Sequence, residues 1–146
     1  MDRLTAAPWL FWALLSAAFA ALTAVFAKIG VQDIDSDYAT FLRTIVILGV
    51  TTMLLAVSGK LRSPMTLPPR ALVFLELSGL ATGASWLCYF RALKLGDASR
   101  VAPVDKLSVV LVAIFGVVFL GEELSALNWL GVVLIAGGVI LLAIKP

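Results

Sequence analysis

The chain has 146 residues, of which 62% are hydrophobic and 14% are charged, and its mean hydropathy is +1.07. Soluble domains average about 45–50% apolar and about 25% charged residues, so this composition excludes a soluble globule of this size. A net charge of +2 with no basic run excludes a nucleic-acid-binding surface. The sequence has no histidine and one cysteine, which leaves no zinc or iron–sulfur motif and removes the commonest general base. We expect an integral membrane protein that binds no metal or cofactor and is not an enzyme.

The first apolar stretch predicts a spanning helix over residues 8–29. A helix rises ~1.5 Å per residue, so crossing the ~30 Å hydrocarbon core takes about 20 apolar residues. The uncharged run that begins at Leu4 is longer than the ~7–15 apolar residues of a secretory signal, so we expect it to be retained as a span. Trp12, Ser16 and Thr23 follow helical spacing on one small, weakly polar face. Such a face suits a cavity or a helix partner.

Three further predicted helices have to carry charge. Their uncharged stretches are only about 14–16 residues, roughly 21–24 Å, which is too short to cross the membrane. Extending each one to a full span takes in charged side chains: Arg43 in helix 2, Glu76 in helix 3, and Asp105 with Lys106 in helix 4. An uncharged fifth helix follows. The predicted bounds are 38–58, 71–92, 101–121 and 124–144. The sequence thus predicts an all-α integral membrane protein, a bundle of five transmembrane helices that forms a single domain over residues 1–146.

The four embedded charges have two interpretations. A charged group inside the membrane costs ~2.5–3.5 kcal/mol on insertion scales. Each of these side chains lies about one or two turns from a helix start, so snorkelling to the surface would relieve much of that cost. Alternatively the charges, which sum to zero, pair with one another. In an antiparallel dimer, Glu76 of one chain would share a layer with Arg43 and Lys106 of the other.

Helix 3 also carries small and aromatic side chains. Gly79 and Gly83 form a G-x-x-x-G pattern, which lets helix backbones approach closely in a membrane. The pattern indicates either close helix packing or a specific dimer contact. Trp86, Tyr89 and Phe90 follow further along the same helix. These three rings form either an aromatic belt at the membrane interface or the lining of a binding cavity.

The distribution of lysine and arginine gives a weak orientation signal. The side that holds the N-terminus carries Arg3, Lys60, Arg62 and Arg70, and the opposite side carries Lys28, Arg91, Lys94, Arg100 and Lys145. The positive-inside rule places the richer side in the cytoplasm. Four against five is nearly balanced, although the two embedded cations lie nearer the second side. The sequence leaves open a single orientation with that second side inside, or dual insertion of the chain as an antiparallel dimer.

Several short segments resemble one transporter family. They are Phe26-Ala27-Lys28, Arg43, Tyr89-Phe90-Arg91-Ala92-Leu93, Val101-Ala102-Pro103, Leu120-Gly121-Glu122-Glu123, Trp129 and Gly137-Gly138-Val139. In order and spacing they resemble the EamA domain of the drug/metabolite transporter superfamily, in its short single-domain branch of five helices. The resemblance implies that helices 1, 3 and 4 line a central cavity. The superfamily's four-helix multidrug exporters use a carboxylate within helix 1, which this sequence lacks.

We therefore expect a secondary transporter for a small metabolite or drug-like molecule. It would work by alternating access in a bacterial or archaeal cytoplasmic (inner) membrane, as an antiparallel homodimer. The alternative is a half-transporter, or a non-transporting membrane subunit, that assembles with a second EamA-like chain. Arg43 and Lys106 are candidates to bind a substrate carboxylate or to hold Asp105, and Glu76 and Asp105 are candidates to carry a coupling proton. The predicted cavity residues are Trp12, Ser16, Thr23, Trp86, Tyr89, Asp105 and Ser108.

Overall fold

A computed structural model describes residues 8–144. All the regular secondary structure in that range is helical, and the range contains no strand. The α-helices are α1 (Pro8–Gly30), α2 (Ser36–Val57), α3 (Pro69–Leu95), α4 (Ala98–Asp105), α5 (Ser108–Leu120) and α6 (Ala126–Ala143), and a single 3-10 turn lies at Pro64–Thr66. Five stretches of the described chain are long and apolar enough to cross a membrane, with α4 and α5 together forming the fourth. The predicted all-α fold with five spans is confirmed. Arg3 and Lys145, which enter the orientation count, lie outside the described residues.

The outer surface of the helices is apolar. Leu80, Phe119 and Leu141 are more than 70% exposed, as are several other large apolar side chains. Water would oppose this exposure, whereas lipid favours it. Four threonines inside the spans, Thr40, Thr44, Thr51 and Thr82, turn their hydroxyls back onto the helix. Thr44 Oγ1 donates to the Thr40 carbonyl at 2.8 Å, and Thr82 Oγ1 donates to the Ser78 carbonyl at 2.8 Å. Polar groups are thereby satisfied within their own helix, as a lipid environment requires.

Local capping explains where two helices begin. The Asp35 carboxylate accepts hydrogen bonds from the backbone N–H groups of Asp37 and Tyr38, so α2 starts at Ser36, two residues before the predicted position. Ser125 Oγ accepts from the Asn128 N–H, and α6 starts at Ala126 instead of residue 124. The cap residue fixes the first turn because it satisfies amide groups that have no partner within the helix.

The fourth span is interrupted between α4 and α5, inside the range 101–121 predicted for helix 4. Pro103 lies in the interior of α4, where it removes the N–H that would bond the Ser99 carbonyl. After it, the Lys106 N–H bonds to the Pro103 carbonyl at 2.9 Å, three residues back instead of four. The Leu107 N–H bonds to the Val104 carbonyl at 3.0 Å in the same way. This tight turn separates α4 from α5 and places Asp105 and Lys106 beside the break.

The chain divides into two compact units. Among the described residues, one unit comprises 8–26 together with 96–144, and in it α4 and α5 pack against α6. Arg100 Nη2 donates to the Ala143 carbonyl at 2.7 Å and links the start of α4 to the end of α6. The other unit is Ala27–Leu95, in which α2 packs against α3.

Candidate functional site

The candidate site lies in the Ala27–Leu95 unit, where an arginine of α2 meets aromatic rings of α3. Arg43 is the eighth residue of α2, about 10 Å along the helix axis from Ser36. Its guanidinium carbon lies 4.2 Å from the centroid of the Trp86 ring and 5.4 Å from the centroid of the Phe90 ring. Trp86 and Phe90 are four residues apart on α3, so they share one face. We call Arg43, Trp86 and Phe90 the arginine–aromatic site.

One ion pair and two lysine–carbonyl contacts tie the end of α3 to the start of α2, to the loop before α2 and to the end of α1. Arg91 near the end of α3 pairs with Asp37 in the first turn of α2, with Nε to Oδ1 at 2.9 Å and Nη2 to Oδ2 at 2.6 Å. Two parallel hydrogen bonds fix orientation as well as distance. Lys94 Nζ donates to the Ile34 carbonyl at 2.6 Å, and Lys28 Nζ donates to the Leu93 carbonyl at 2.7 Å. The Arg91–Asp37 pair joins α3 to α2 in the register that places Arg43 beside Trp86.

Burial differs among the members of the site. Phe90 is 3% exposed, whereas Arg43, Trp86 and Tyr89 are half-buried. The Tyr89 ring lies edge-on to the Phe90 ring, with ring centroids 6.4 Å apart. The structure thus brings together Arg43, Trp86 and Tyr89, which the sequence analysis singled out for separate reasons. Phe90, which the sequence analysis named with these two rings, is the second ring over which the guanidinium lies.

Arg43 differs from its neighbouring cations in what it contacts. Arg91, Lys94 and Lys28 each donate to an oxygen of the unit. No carboxylate of the Ala27–Leu95 unit lies within 4.0 Å of Arg43, and no hydrogen bond joins its guanidinium to that unit. The rings contribute about 0.5–1 kcal/mol to a solvated cation and about 2 kcal/mol to a desolvated one. Stacking occupies the face of a guanidinium and leaves its N–H edge able to bind an oxyanion.

The other embedded charges have different surroundings. Lys106 Nζ lies 3.0 Å from Asp105 Oδ2, so these sequence neighbours form an ion pair at the break between α4 and α5. The roles predicted for Lys106 and Asp105 in substrate binding or proton coupling stay predictions. Glu76 is exposed on α3, and no basic side chain of its unit lies within 4.0 Å of it.

The two glycines of α3 do not pack against a helix of their own unit. Within the Ala27–Leu95 unit, a Cβ added to Gly79 or Gly83 would meet no atom within 4 Å. The small-residue face of α3 is therefore open within the unit. Close packing at this face would require another part of the chain or a second chain.

The remaining predicted cavity residues lie in the other unit. Trp12 is 66% exposed on α1 and packs edge-on against Phe11, with ring centroids 5.3 Å apart. Ser16 is exposed and Thr23 is half-buried on the same helix, and Ser108 is the first residue of α5. That these residues line one cavity with Trp86 and Tyr89 stays a prediction.

The fold and this site define a multi-pass α-helical membrane protein with a cation placed inside a span. The sequence matches the EamA-like transporter family over residues 7–144. A protein of Sinorhizobium sp described as an uncharacterized transporter in the cobO 3' region is 67% identical over 136 residues, which cover 93% of this chain and 96% of that protein. No solved structure matches the chain. The chain belongs to the EamA-like transporter family and is a membrane transporter, which confirms the resemblance.

Proposed function

We propose that the chain is a secondary transporter that moves a small metabolite or drug-like molecule by alternating access across the bacterial cytoplasmic membrane. The observation that carries this proposal is the arginine–aromatic site, because a cation within a span is costly and usually marks a substrate or ion pathway. The bacterial source of the similar Sinorhizobium protein supports the membrane assignment.

The interrupted fourth span supports alternating access. Transporters commonly form their binding sites from discontinuous helices, because a break exposes backbone groups and permits the two halves to move separately. Here the break between α4 and α5 carries Asp105, Lys106 and Ser108. Asp105 and Glu76 are the carboxylates that we assign to a coupling proton. Glu76→Gln should therefore reduce proton-driven uptake into proteoliposomes, whereas Glu123→Gln, outside the spans, should leave uptake unchanged. Equal uptake by both variants would remove Glu76 from the mechanism.

The working unit in this proposal is an antiparallel homodimer that meets at the open face of α3. An antiparallel pair of five-helix chains provides the inverted symmetry that larger transporters encode in one chain. The Sinorhizobium protein, matched over 96% of its length, is of similar size. The exposed Glu76 and the open face at Gly79 and Gly83 are consistent with contact to a second chain.

Disulfide cross-linking distinguishes the possible arrangements because Gly83 lies beside the midpoint of α3. In an antiparallel pair, residue 83 approaches its counterpart, whereas the two copies of residue 79 are offset by about 9 Å along the axis. A disulfide needs Cα atoms about 4.4–6.8 Å apart. In a Cys88→Ser background, Gly83→Cys should cross-link and Gly79→Cys should not. Cross-linking at both positions would indicate a parallel pair, and cross-linking at neither would place the dimer contact elsewhere.

Native mass spectrometry addresses the alternative assembly. A homodimer released from detergent supports the proposal. A monomer that becomes a heterodimer with a second EamA-like chain would support the half-transporter instead.

A further inference from the structure

We propose that the arginine–aromatic site binds the carboxylate of a small organic anion with an apolar body, so that the transported substrate is an anion. That the bound anion is also transported rests on the proposed function, whereas binding of the anion can be measured without transport. Arg43 would bind the carboxylate, and Trp86 and Phe90 would contact the apolar part.

The geometry favours an oxyanion as the ligand. The Arg43 guanidinium carbon lies over the Trp86 ring, 4.2 Å from its centroid, and the guanidinium carries five N–H donors in a planar fork. Two parallel donors match the two oxygens of a carboxylate. Within the Ala27–Leu95 unit no protein oxygen accepts from these donors, although the other cations near the same helix ends are each bonded to one. A ligand carboxylate would supply the acceptor that the unit does not.

The charge balance favours a monovalent ligand. The nearby cations of the unit are already engaged, since Arg91 binds Asp37, Lys94 binds the Ile34 carbonyl and Lys28 binds the Leu93 carbonyl. A positive charge in a span that has no carboxylate partner within its own unit is neutralised by one ligand carboxylate, whereas a dianion would bring an uncompensated negative charge into a low-dielectric site. The two rings add an apolar surface, which an aromatic or aliphatic ligand body can cover.

The test compares two probes that share a ring and differ in charge. Radiolabelled benzoate and radiolabelled benzylamine are titrated by equilibrium dialysis against the purified full-length protein in dodecyl maltoside, a detergent without phosphate. Phosphatidylglycerol is added in a separate arm, because a lipid headgroup is another source of an oxyanion. The variants are Arg43→Gln, Arg43→Lys and, as a matched loop control with the same charge change, Arg62→Gln.

We expect benzoate to bind the wild-type protein and benzylamine not to bind. Arg43→Gln should raise the dissociation constant for benzoate at least about tenfold, which corresponds to ~1.4 kcal/mol. Arg43→Lys keeps the charge but loses the planar fork, so it should weaken benzoate binding less than Arg43→Gln and remain informative if Arg43→Gln does not fold. Arg62→Gln should bind benzoate as the wild type does.

Three results would overturn the proposal. The first is no binding of benzoate up to its solubility limit. The second is equal binding of benzoate by the wild type and both Arg43 variants. The third is displacement of benzoate by a stoichiometric amount of phosphatidylglycerol, because that result would identify a lipid site. The outcome is separable from that of the proposed function. Benzoate binding without transport would retain the site and refute the transporter mechanism. Uptake of a solute that does not need Arg43 would retain the transporter mechanism and refute the role of the site in it.

Discussion

The contact between Arg43 and Trp86 should contribute a measurable coupling free energy to the stability of the Ala27–Leu95 unit. The guanidinium carbon lies 4.2 Å from the ring centroid, and both side chains are half-buried. Cation–π pairs contribute about 0.5–1 kcal/mol when exposed and about 2 kcal/mol when desolvated, so partial burial predicts about 1 kcal/mol for this pair. A double-mutant cycle of Arg43→Met and Trp86→Leu isolates that quantity from the other effects of each substitution.

The assay is equilibrium unfolding from dodecyl maltoside by increasing mole fractions of sodium dodecyl sulfate, followed by circular dichroism. A second cycle combines Arg43→Met with Phe74→Leu. Phe74 lies twelve residues before Trp86 on α3, about 18 Å along the axis, so these two changes should be additive within about 0.5 kcal/mol. If the Arg43–Trp86 cycle is as additive as the Arg43–Phe74 cycle, the reasoning about the arginine–aromatic site is refuted.

Three further sets of substitutions test separate parts of the structure. Gly121→Ala should lower the free energy of unfolding by about 1–2 kcal/mol, because Gly121 ends α5 with φ +68° and an L-residue is strained there; thermal unfolding in detergent measures this. Asp37→Asn and Arg91→Gln should each lower the unfolding temperature. The double variant should unfold at a temperature no lower than that of the less stable single variant, because both substitutions remove the same ion pair. Gly83→Ile should decrease the dimer fraction in native mass spectra, whereas Gly49→Ile, equally open on α2, should not; equal effects would argue against the α3 contact.

The number and identity of the spans could be predicted from the sequence because lipid imposes a length requirement on each helix. The same requirement placed Arg43 below the membrane surface before its surroundings were known. The positions of the helix ends were harder to predict from the sequence. The start of α2 depends on the Asp35 side chain reaching two backbone amides, and the break after α4 depends on consecutive turns beyond Pro103. These are local hydrogen-bonding choices that hydrophobicity does not reveal.

The partners of the candidate site could not be predicted because they depend on the register between two helices. Asp37 and Arg91 are 54 residues apart, and their ion pair sets how far α3 slides along α2. A shift of one residue would move every contact by ~1.5 Å along the axis and rotate it by about a quarter turn. The sequence indicated that Arg43 and Trp86 were unusual residues, but only the packing of α2 on α3 shows that they meet.

Solute counterflow in proteoliposomes tests the proposed function most directly. Vesicles containing the protein are loaded with an unlabelled solute identified in an uptake screen, then diluted into the same solute in radiolabelled form. Alternating access predicts a transient accumulation of label above equilibrium, because each inward step of labelled solute is exchanged for an outward step of unlabelled solute. Equilibration without an overshoot, or uptake equal to that of protein-free vesicles, would contradict the account.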